Sequence, residues 1–579
     1  MAKELWFEKK IPGDYRGLAE EYGVSPAMAR LLVNRLARVN GVLPDVEDVR
    51  EYLNPDVGRI YTYEKLPDIK KCVDMLSSAI ESNKKIRVIG DYDIDGVCAT
   101  YILTKGLHKA NGKADHAIPH RITDGYGLND RLIEEAKNAG IDCIITCDNG
   151  ISAVSQIDLA HKLGMEIIVT DHHEVPYHML GEDRVEDIPD ADAIVDIKRS
   201  DSNYGFTEIC GAVVAFKVII ALYDRLGIDR READEFIELA AFASIGDIMP
   251  LTDENRPLVA EGLKRLKDTS NPGMKALIRV QGAEGAILRY YHVGFVLGPC
   301  INATGRLATA DNAYELLNAH NDEEAEKLAD LLAAMNNERK EMTERGVKEA
   351  LDLAGSQEMK DDRVLVIYLP DTHESIAGII AGRVRESTGK PVFVLTDGEN
   401  GIKGSGRSID EYDMHGAMTE AAPLFEKFGG HKLAGGLSLK SGVTPEILRE
   451  RLNDNCTLTE KDLAVKIYFD MVLPFAYADM ALAKDIERLE PFGPGNPKPL
   501  FAAKDVKIRD IRIYGKNRNV FKCMASDSPG TSHPAIYFGD ADELLRFINA
   551  SGSLKILYYP EINDFRGERT LQLHIANYC

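Results

Sequence analysis

VIGDYDIDGV, residues 88–97, sets the apolar pair Val88 and Ile89 directly against Asp91, Asp93 and Asp95. A short β-branched run ending in a polar turn reads as a buried strand with its chemistry at the carboxyl end. Like charges this close repel one another, and ionised carboxylates are costly to desolvate, so burying the stretch requires an offsetting charge. A bound cation supplies one.

The same arrangement recurs further along the chain. IRVI precedes Asp91, CIITC precedes Asp148, EIIVT precedes Asp171 and AIV precedes Asp196, with GVCATYILTKGLHKA and ISAVSQIDLAHKLG between them as crossover helices. This alternation predicts a parallel sheet in an α/β domain. In open parallel sheets ligands bind beyond the carboxyl ends of the strands, which is where these acids fall. One Asp after one strand can simply cap the next helix; acids gathered from several strands favour a shared site. TDHHEV, residues 170–175, adds two adjacent histidines. At a strand end they point in different directions, so one can ligate a metal while the other meets substrate, and a neighbouring carboxylate can orient a ring. Together with DYDIDG and CDNG (147–150), the oxygen-plus-imidazole set favours Mn2+ or Mg2+. Two such ions side by side suit phosphoryl chemistry.

The chain has 579 residues, enough for three or four domains, and its 44% hydrophobic and 28% charged composition is that of a globular protein. A net charge of −23 excludes indiscriminate adhesion to nucleic acid, so any such binding must rest on local patches. The run CGAVVAFKVIIALY from Cys210 is broken by Lys217 and reads as a buried helix, too short for a membrane span. MAKELWFEKK lacks an apolar signal core, which makes the cytoplasm the expected location, with no membrane partner. Nine cysteines without a CxxC pair fit reduced thiols and argue against cysteine-bound zinc.

Further along, residues from Asn321 to Leu353 form one long charged helix, opened by an Asn-Asp-Glu-Glu cap and closed near Gly355. A second mixed unit follows, with strands VLVIYL and PVFVL and glycine-rich loops GIKGSGRS and FGGHKLAGGL. PFGPGNPKP from Pro491 marks a boundary. Beyond it, VKIRDIRIYG, NVFKCMA, PAIYF, LKILYY and RTLQLHIA suit the strands of an OB-like barrel. The expected division is an N-terminal segment 1–84, domains 85–310, 359–460 and 461–579, and a connecting helix within 311–358. In the last domain Lys504, Lys507, Arg509, Arg512, Lys516, Arg518 and Lys522 face only Asp505 and Asp510, with Tyr514 and Phe521 among them. Basic charge interleaved with aromatics is how OB folds hold single strands, although such alternation also suits the solvated face of a strand.

DYDIDG, CDNG, DHH and ASIGDIMPL (243–251) resemble the four ordered motifs of the DHH phosphoesterase superfamily. RITDGYGL from Arg121, GPCINATGRL from Gly298, HESIAGIIAGRV from His373, then GSGRS, GGHKLAGG and PFGPGNPKPLF extend the resemblance, in order, to the RecJ-type single-strand-specific exonucleases across residues 85–579. The resemblance implies a parallel-sheet DHH domain, a connecting helix, a smaller α/β DHH-associated domain and an OB-like barrel. It implies one metal site from Asp95, Asp148, His172 and Asp247, with Asp148 bridging to a second formed with Asp93 and Asp91. Other superfamily members place a histidine four residues before the position of Asp93; here that residue is Ile89, so either Asp91 substitutes for it or the second site is weaker. His173 would face the phosphate as a catalytic group, supported by Asp171. Arg121, Arg306, Ser405, Arg407 and His431 match strand-binding positions, and Lys507, Arg509, Tyr514 and Phe521 fall in the barrel. Cys300 departs from the pattern, standing where these proteins commonly carry arginine, which removes one strand contact. The implied activity is metal-dependent 5′-to-3′ hydrolysis of single-stranded DNA to mononucleotides in repair and recombination, alongside a single-strand-binding protein and a helicase. The alternatives are a phosphodiesterase for short oligonucleotides or cyclic dinucleotides, and a non-catalytic DNA-binding scaffold.

Overall fold

The computed structural model describes residues 4–38, 41–181, 183–398, 401–565 and 568–579. Five parallel strands lie in the order Lys113–Ala117, Lys85–Ile89, Cys143–Thr146, Glu166–Asp171 and Ala193–Asp196. Their β-branched residues are buried on both faces because helices cover both. Val88, Ile145 and Ile168 pack with helices Ile94–Lys109 and Gly211–Leu226 on one face, while Ile89, Ile144 and Val169 pack with Asp130–Asn138 and Val154–Lys162 on the other. Lys85–Ile89, the first of these five in chain order, sits between the second and the third, so the crossovers reverse direction there. That reversal opens a crevice at the carboxyl ends of Lys85–Ile89 and Cys143–Thr146, the place where open α/β sheets bind ligands.

Helix Gly211–Leu226 carries Lys217 in full burial, with Nζ 2.6 Å from Glu254 and donating to the Thr62 carbonyl at 2.8 Å. The long helix runs Asp322–Ala354; Asn321 caps it by accepting from the Glu324 N–H at 3.0 Å, and three acids in its first turn suit the helix dipole. Among the described residues no helix is long and apolar enough to cross a membrane.

The second mixed unit is a five-stranded sheet in the order Phe425–His431, Ala434–Leu439, Gly401–Arg407, Val392–Gly398, Leu365–Tyr368. Both stretches expected as glycine-rich loops are strands of this sheet. Their glycines are there because neighbours come too close for a side chain: a Cβ on Gly404 would lie 2.4 Å from Leu395 Cδ2, and one on Gly406 2.5 Å from Met414 Sδ.

The expected N-terminal segment 1–84 does not stand alone. Residues 57–464 belong to the unit holding both α/β sheets, whereas the described residues 4–38 and 41–56 form a second unit with 465–579. In that second unit Glu4–Glu8 pairs in parallel with Val465–Phe469, and Met28, Leu31 and Leu32 enter the same core as Phe501, Phe521, Ile556 and Leu573. The barrel strands are Phe501–Tyr514, Val520–Ser526, Ser532–Phe538, Leu554–Phe565 and Glu568–Tyr578, and pairing of the first with the fourth partly closes the sheet.

Candidate metal centre and phosphate cleft

The acids of the opening stretch turn into the crevice at the switch point. Asp91 leaves strand Lys85–Ile89 and accepts weakly from the Gly127 N–H at 3.3 Å. Asp93 caps helix Ile94–Lys109, accepting from the Asp95 and Gly96 N–H groups at 2.9 and 3.1 Å, so the capping role and a site role coexist in one side chain. Asp95 is gripped from the opposite side: the Gly211 and Ala212 N–H groups donate to its two oxygens at 2.6 and 2.8 Å. His172 then draws three chain segments together, its Nε2 lying 3.1 Å from Asp148 Oδ1, 3.5 Å from Asp95 Oδ2 and 3.8 Å from Asp247 Oδ2. Backbone strain accompanies the arrangement. Asp148 and the β-branched Ile248 beside Asp247 both sit at φ 60°, a region that side chains of this kind avoid.

Three sets of side chains have candidate ligand atoms within 4.8 Å of one another: Asp95, His172 and Asp247; Asp91, Asp93 and Asp148; and Asp148 with His172 and His173. The first of these sets brings together three of the four residues expected around one ion and the second the three expected around the other; Asp148, absent from the first set, lies 3.1 Å from its His172 Nε2. Burial first, and then repulsion from Asp95 and Asp93, push the Asp148 carboxyl well above its ordinary range. Asp91 is pushed up by burial and by Asp93, and Asp247 rises to about 8 through burial and through Asp95 and Asp93. Burial lowers His172, leaving a neutral ring able to ligate. Oδ2 of Asp247 is buried without a hydrogen-bond partner. Crowded acids with an unsatisfied buried oxygen and a neutral imidazole fit hard divalent cations, whose charge would let the carboxylates ionise together.

His173 stands at the mouth. Its Nδ1 is 2.8 Å from Asp171 Oδ1, and burial is outweighed by that bond and charge, so the ring rises to about 9. Asp171 also accepts from the Ile151 N–H at 3.0 Å and the His172 N–H at 2.8 Å, which makes it a brace for the DHH turn. Tyr126 went unrecognised in the sequence although RITDGYGL contains it. Its hydroxyl donates to the Asp148 carbonyl at 2.7 Å and lies 3.1 Å from His173 Nδ1.

Of the strand-binding candidates, Arg121 and Ser405 line one cavity of about 330 Å³ together with Tyr92, Ser375, Lys403 and Gly436. Arg121 lies over the Tyr92 ring at 4.8 Å, and Arg306 donates from Nη1 to the Ser375 carbonyl at 2.5 Å. Arg407 neighbours them, packed over Gly378, and its pKa is lowered by burial and then by Arg385 and Arg121. His431 is exposed at its hairpin turn, accepting from the Leu433 N–H at 3.3 Å, and does not line this cavity. In the barrel, Lys507, Arg509 and Tyr514 are exposed, and Lys522 stands 5.9 Å over the Tyr514 ring. Phe521 corrects the sequence reading: it is fully buried, on the inward side of strand Val520–Ser526, and cannot stack a base.

Three family descriptions match the chain in order: "DHH family, N-terminal domain" over residues 85–244, "DHHA1 domain" over 361–456 and "RecJ OB domain" over 469–577. The chain is 33% identical over 583 residues to the single-stranded-DNA-specific exonuclease RecJ of Bacillus subtilis (strain 168), covering 100% of this chain and 71% of that protein. It is 31% identical over 573 residues to the protein of the same name from Escherichia coli (strain K12), covering 95% and 96% respectively. Among solved structures, RecJ of Thermus thermophilus in complex with Mn2+ matches with a TM-score of 0.80 at 25% identity, over 100% of this chain and 80% of that one.

Proposed function

This chain belongs to the RecJ family of single-stranded-DNA-specific exonucleases, and we propose that it hydrolyses single-stranded DNA from the 5′ end to mononucleotides, with Mn2+ or Mg2+ as its cofactor. The observation that carries the reading is the convergence of acids and an imidazole from distant segments into adjoining sets sharing one crevice. Asp95, Asp148, His172 and Asp247 would hold one ion, and Asp91, Asp93 and Asp148 the other. When bound, such a pair lowers the pKa of water and neutralises charge on the phosphate.

The chain's own residues position the substrate. His173, its Nδ1 tied to Asp171, would turn Nε2, 3.3 Å from the Tyr126 hydroxyl, to a phosphate oxygen. Tyr126 fixes the Asp148 carbonyl and with it the strained loop. Arg121, Ser405 and Arg407 receive the terminal phosphate, for which a planar guanidinium offers paired donors. The cavity that Arg121 and Ser405 line, about 330 Å³, is in keeping with a single terminal nucleotide and so with single strands as substrate. The exposed basic strand of the barrel, with Tyr514, offers the DNA a further single-strand-binding surface. A phosphodiesterase confined to dinucleotides has no use for that barrel, and a scaffold has no use for the converged acids. Repair and recombination in the cytoplasm, with a single-strand-binding protein and a helicase as partners, follow from this activity.

The test is release of label from 5′-labelled and 3′-labelled single strands with Mn2+ or Mg2+, beside an Asp148→Ala variant. Early mononucleotide release from the 5′ label supports the reading. Release from the 3′ label alone overturns the polarity, and an active Asp148→Ala variant overturns the metal assignment.

A further inference from the structure

We propose that Arg339 and Arg383 form a second anion subsite, which takes an internal phosphodiester of the substrate strand, apart from the cavity that takes its terminal phosphate. The proposal rests on the exonuclease reading above. It begins midway along helix Asp322–Ala354, where Asn336 is fully buried. The Asn336 amide donates to Cys300 Sγ at 3.3 Å, and its Oδ1 accepts from Arg339 Nε and Nη2 at 3.1 and 2.9 Å. The guanidinium is thus held along one edge by a neutral group. Among the described residues no carboxylate pairs with it and only its Nε and Nη2 are hydrogen-bonded, the state in which arginine grips phosphate.

Its surroundings are more guanidinium. Among the described residues, no carboxylate forms an ion pair with Arg121, Arg306, Arg339, Arg383 or Arg407, and Arg385 reaches only the adjacent Glu386 at 3.3 Å. In a protein of net charge −23, carboxylates are plentiful, so cations left without them mark a place kept for an outside anion. Helices Gly298–Leu307 and Ala377–Thr388, which carry Arg306 and Arg383, both pack against helix Asp322–Ala354, which carries Arg339. In keeping with that packing, burial first, and then Arg121 and Arg339, lower Arg306, while burial and then Arg383 lower Arg339. Arg306 in turn touches Ser375 at the rim of the terminal-phosphate cavity. A row of cations leading away from that cavity matches a polyanion threaded through it, and a free phosphate would fill only its first position. Arg383 is exposed on helix Ala377–Thr388, open to a ligand. Cys300 gains a purpose here. The small thiol anchors Asn336, which aims a guanidinium delivered from another helix, so the strand contact that the sequence reading counted as lost is supplied by Arg339.

The experiment compares a long single strand with a 5′-phosphorylated dinucleotide, for wild type, Arg339→Ala and Arg383→Ala. The expected result is that kcat/KM for the long strand, taken relative to the dinucleotide, falls roughly tenfold in each variant. The slope of log KM against log salt for the long strand should also drop by about 0.7 for the phosphate contact removed. Arg383, being exposed, keeps the test decisive if Arg339→Ala folds poorly. An unchanged ratio and salt slope in folded Arg383→Ala, or equal losses on both substrates, overturns the subsite. Wild-type protein that degrades neither substrate overturns instead the exonuclease reading beneath it.

Discussion

Gly211→Ala should disable the centre without altering any side chain assigned to it. The added Cβ would lie 2.7 Å from Asp148 Cβ, 2.9 Å from Asp148 Cα and 3.0 Å from Asp95 Oδ2. Ordinary contact begins at 3.4 Å, so helix Gly211–Leu226 and the Asp148 loop must part by about 0.7 Å. Neither partner yields easily. The helix is buried along most of its length, and Asp148 already holds φ 60°. The same movement weakens the Gly211 N–H bond to Asp95, so both carboxylates shift together. Misplacement on the scale of an ångström costs about 100-fold in rate, and overpacking of this kind costs about 1–3 kcal/mol of stability. The assay is metal-dependent mononucleotide release from a labelled single strand, with Mn2+ affinity by calorimetry and melting followed in parallel. A suitable control is Gly227→Ala at the far end of the same helix, where φ is 70° and nothing lies within 4 Å of the new Cβ. That change should cost about 1–2 kcal/mol through backbone strain while leaving turnover intact. If Gly211→Ala matches wild type in both turnover and Mn2+ affinity, the argument that helix position sets the Asp95–Asp148 geometry is refuted.

Tyr126→Phe removes the hydrogen bond to the Asp148 carbonyl, worth about 0.5–1.5 kcal/mol, and should lower kcat several-fold with little change in melting; equal kcat would deny Tyr126 a role in holding the loop. Lys217→Met strands Glu254 in the core and should destabilise by about 3–5 kcal/mol, whereas Lys217→Met with Glu254→Leu should recover most of that in thermal melts. In the barrel, Phe521→Ala should cost about 3–5 kcal/mol of stability, seen as a lower melting temperature of its unit. Tyr514→Ala should instead weaken binding of a long single strand by about 1–3 kcal/mol, measured by fluorescence anisotropy, with its melting unchanged.

The parallel sheet was legible because Ile86, Val88, Ile144 and Ile145 are β-branched and each run ends in a polar turn, a local pattern that needs no knowledge of partners. The same holds for the acids, since a strand end determines where Asp91, Asp148 and Asp171 emerge. Features set by distant segments were not legible. Nothing in GIKGSGRS says that Leu395 and Met414 will press against its glycines and make it a strand. Alternation along Val520–Ser526 assigns Phe521 and Lys522 to opposite faces, but only the closed barrel shows which face is wet. Tyr126 reads as an ordinary loop tyrosine until the chain brings Asp148 to it, and the role of Cys300 depends on Asn336, 36 residues away. The division of residues 1–84 was invisible for the same reason, since its partner strand begins at Val465.

The ribbon joining Glu4–Glu8 to Val465–Phe469 bears on how the molecule is made. Met28, Leu31 and Leu32 emerge from the ribosome early, yet the core that receives them is built from Met471 to Ile575. At roughly 5–20 residues per second, the leading segment waits between about 20 seconds and about two minutes for its partner. The DHH and DHH-associated domains, encoded in between, can fold during that interval. The second unit forms last, so every nascent chain passes through a stage with an apolar helix uncovered, and shortening the time spent there during expression should raise the yield of intact enzyme.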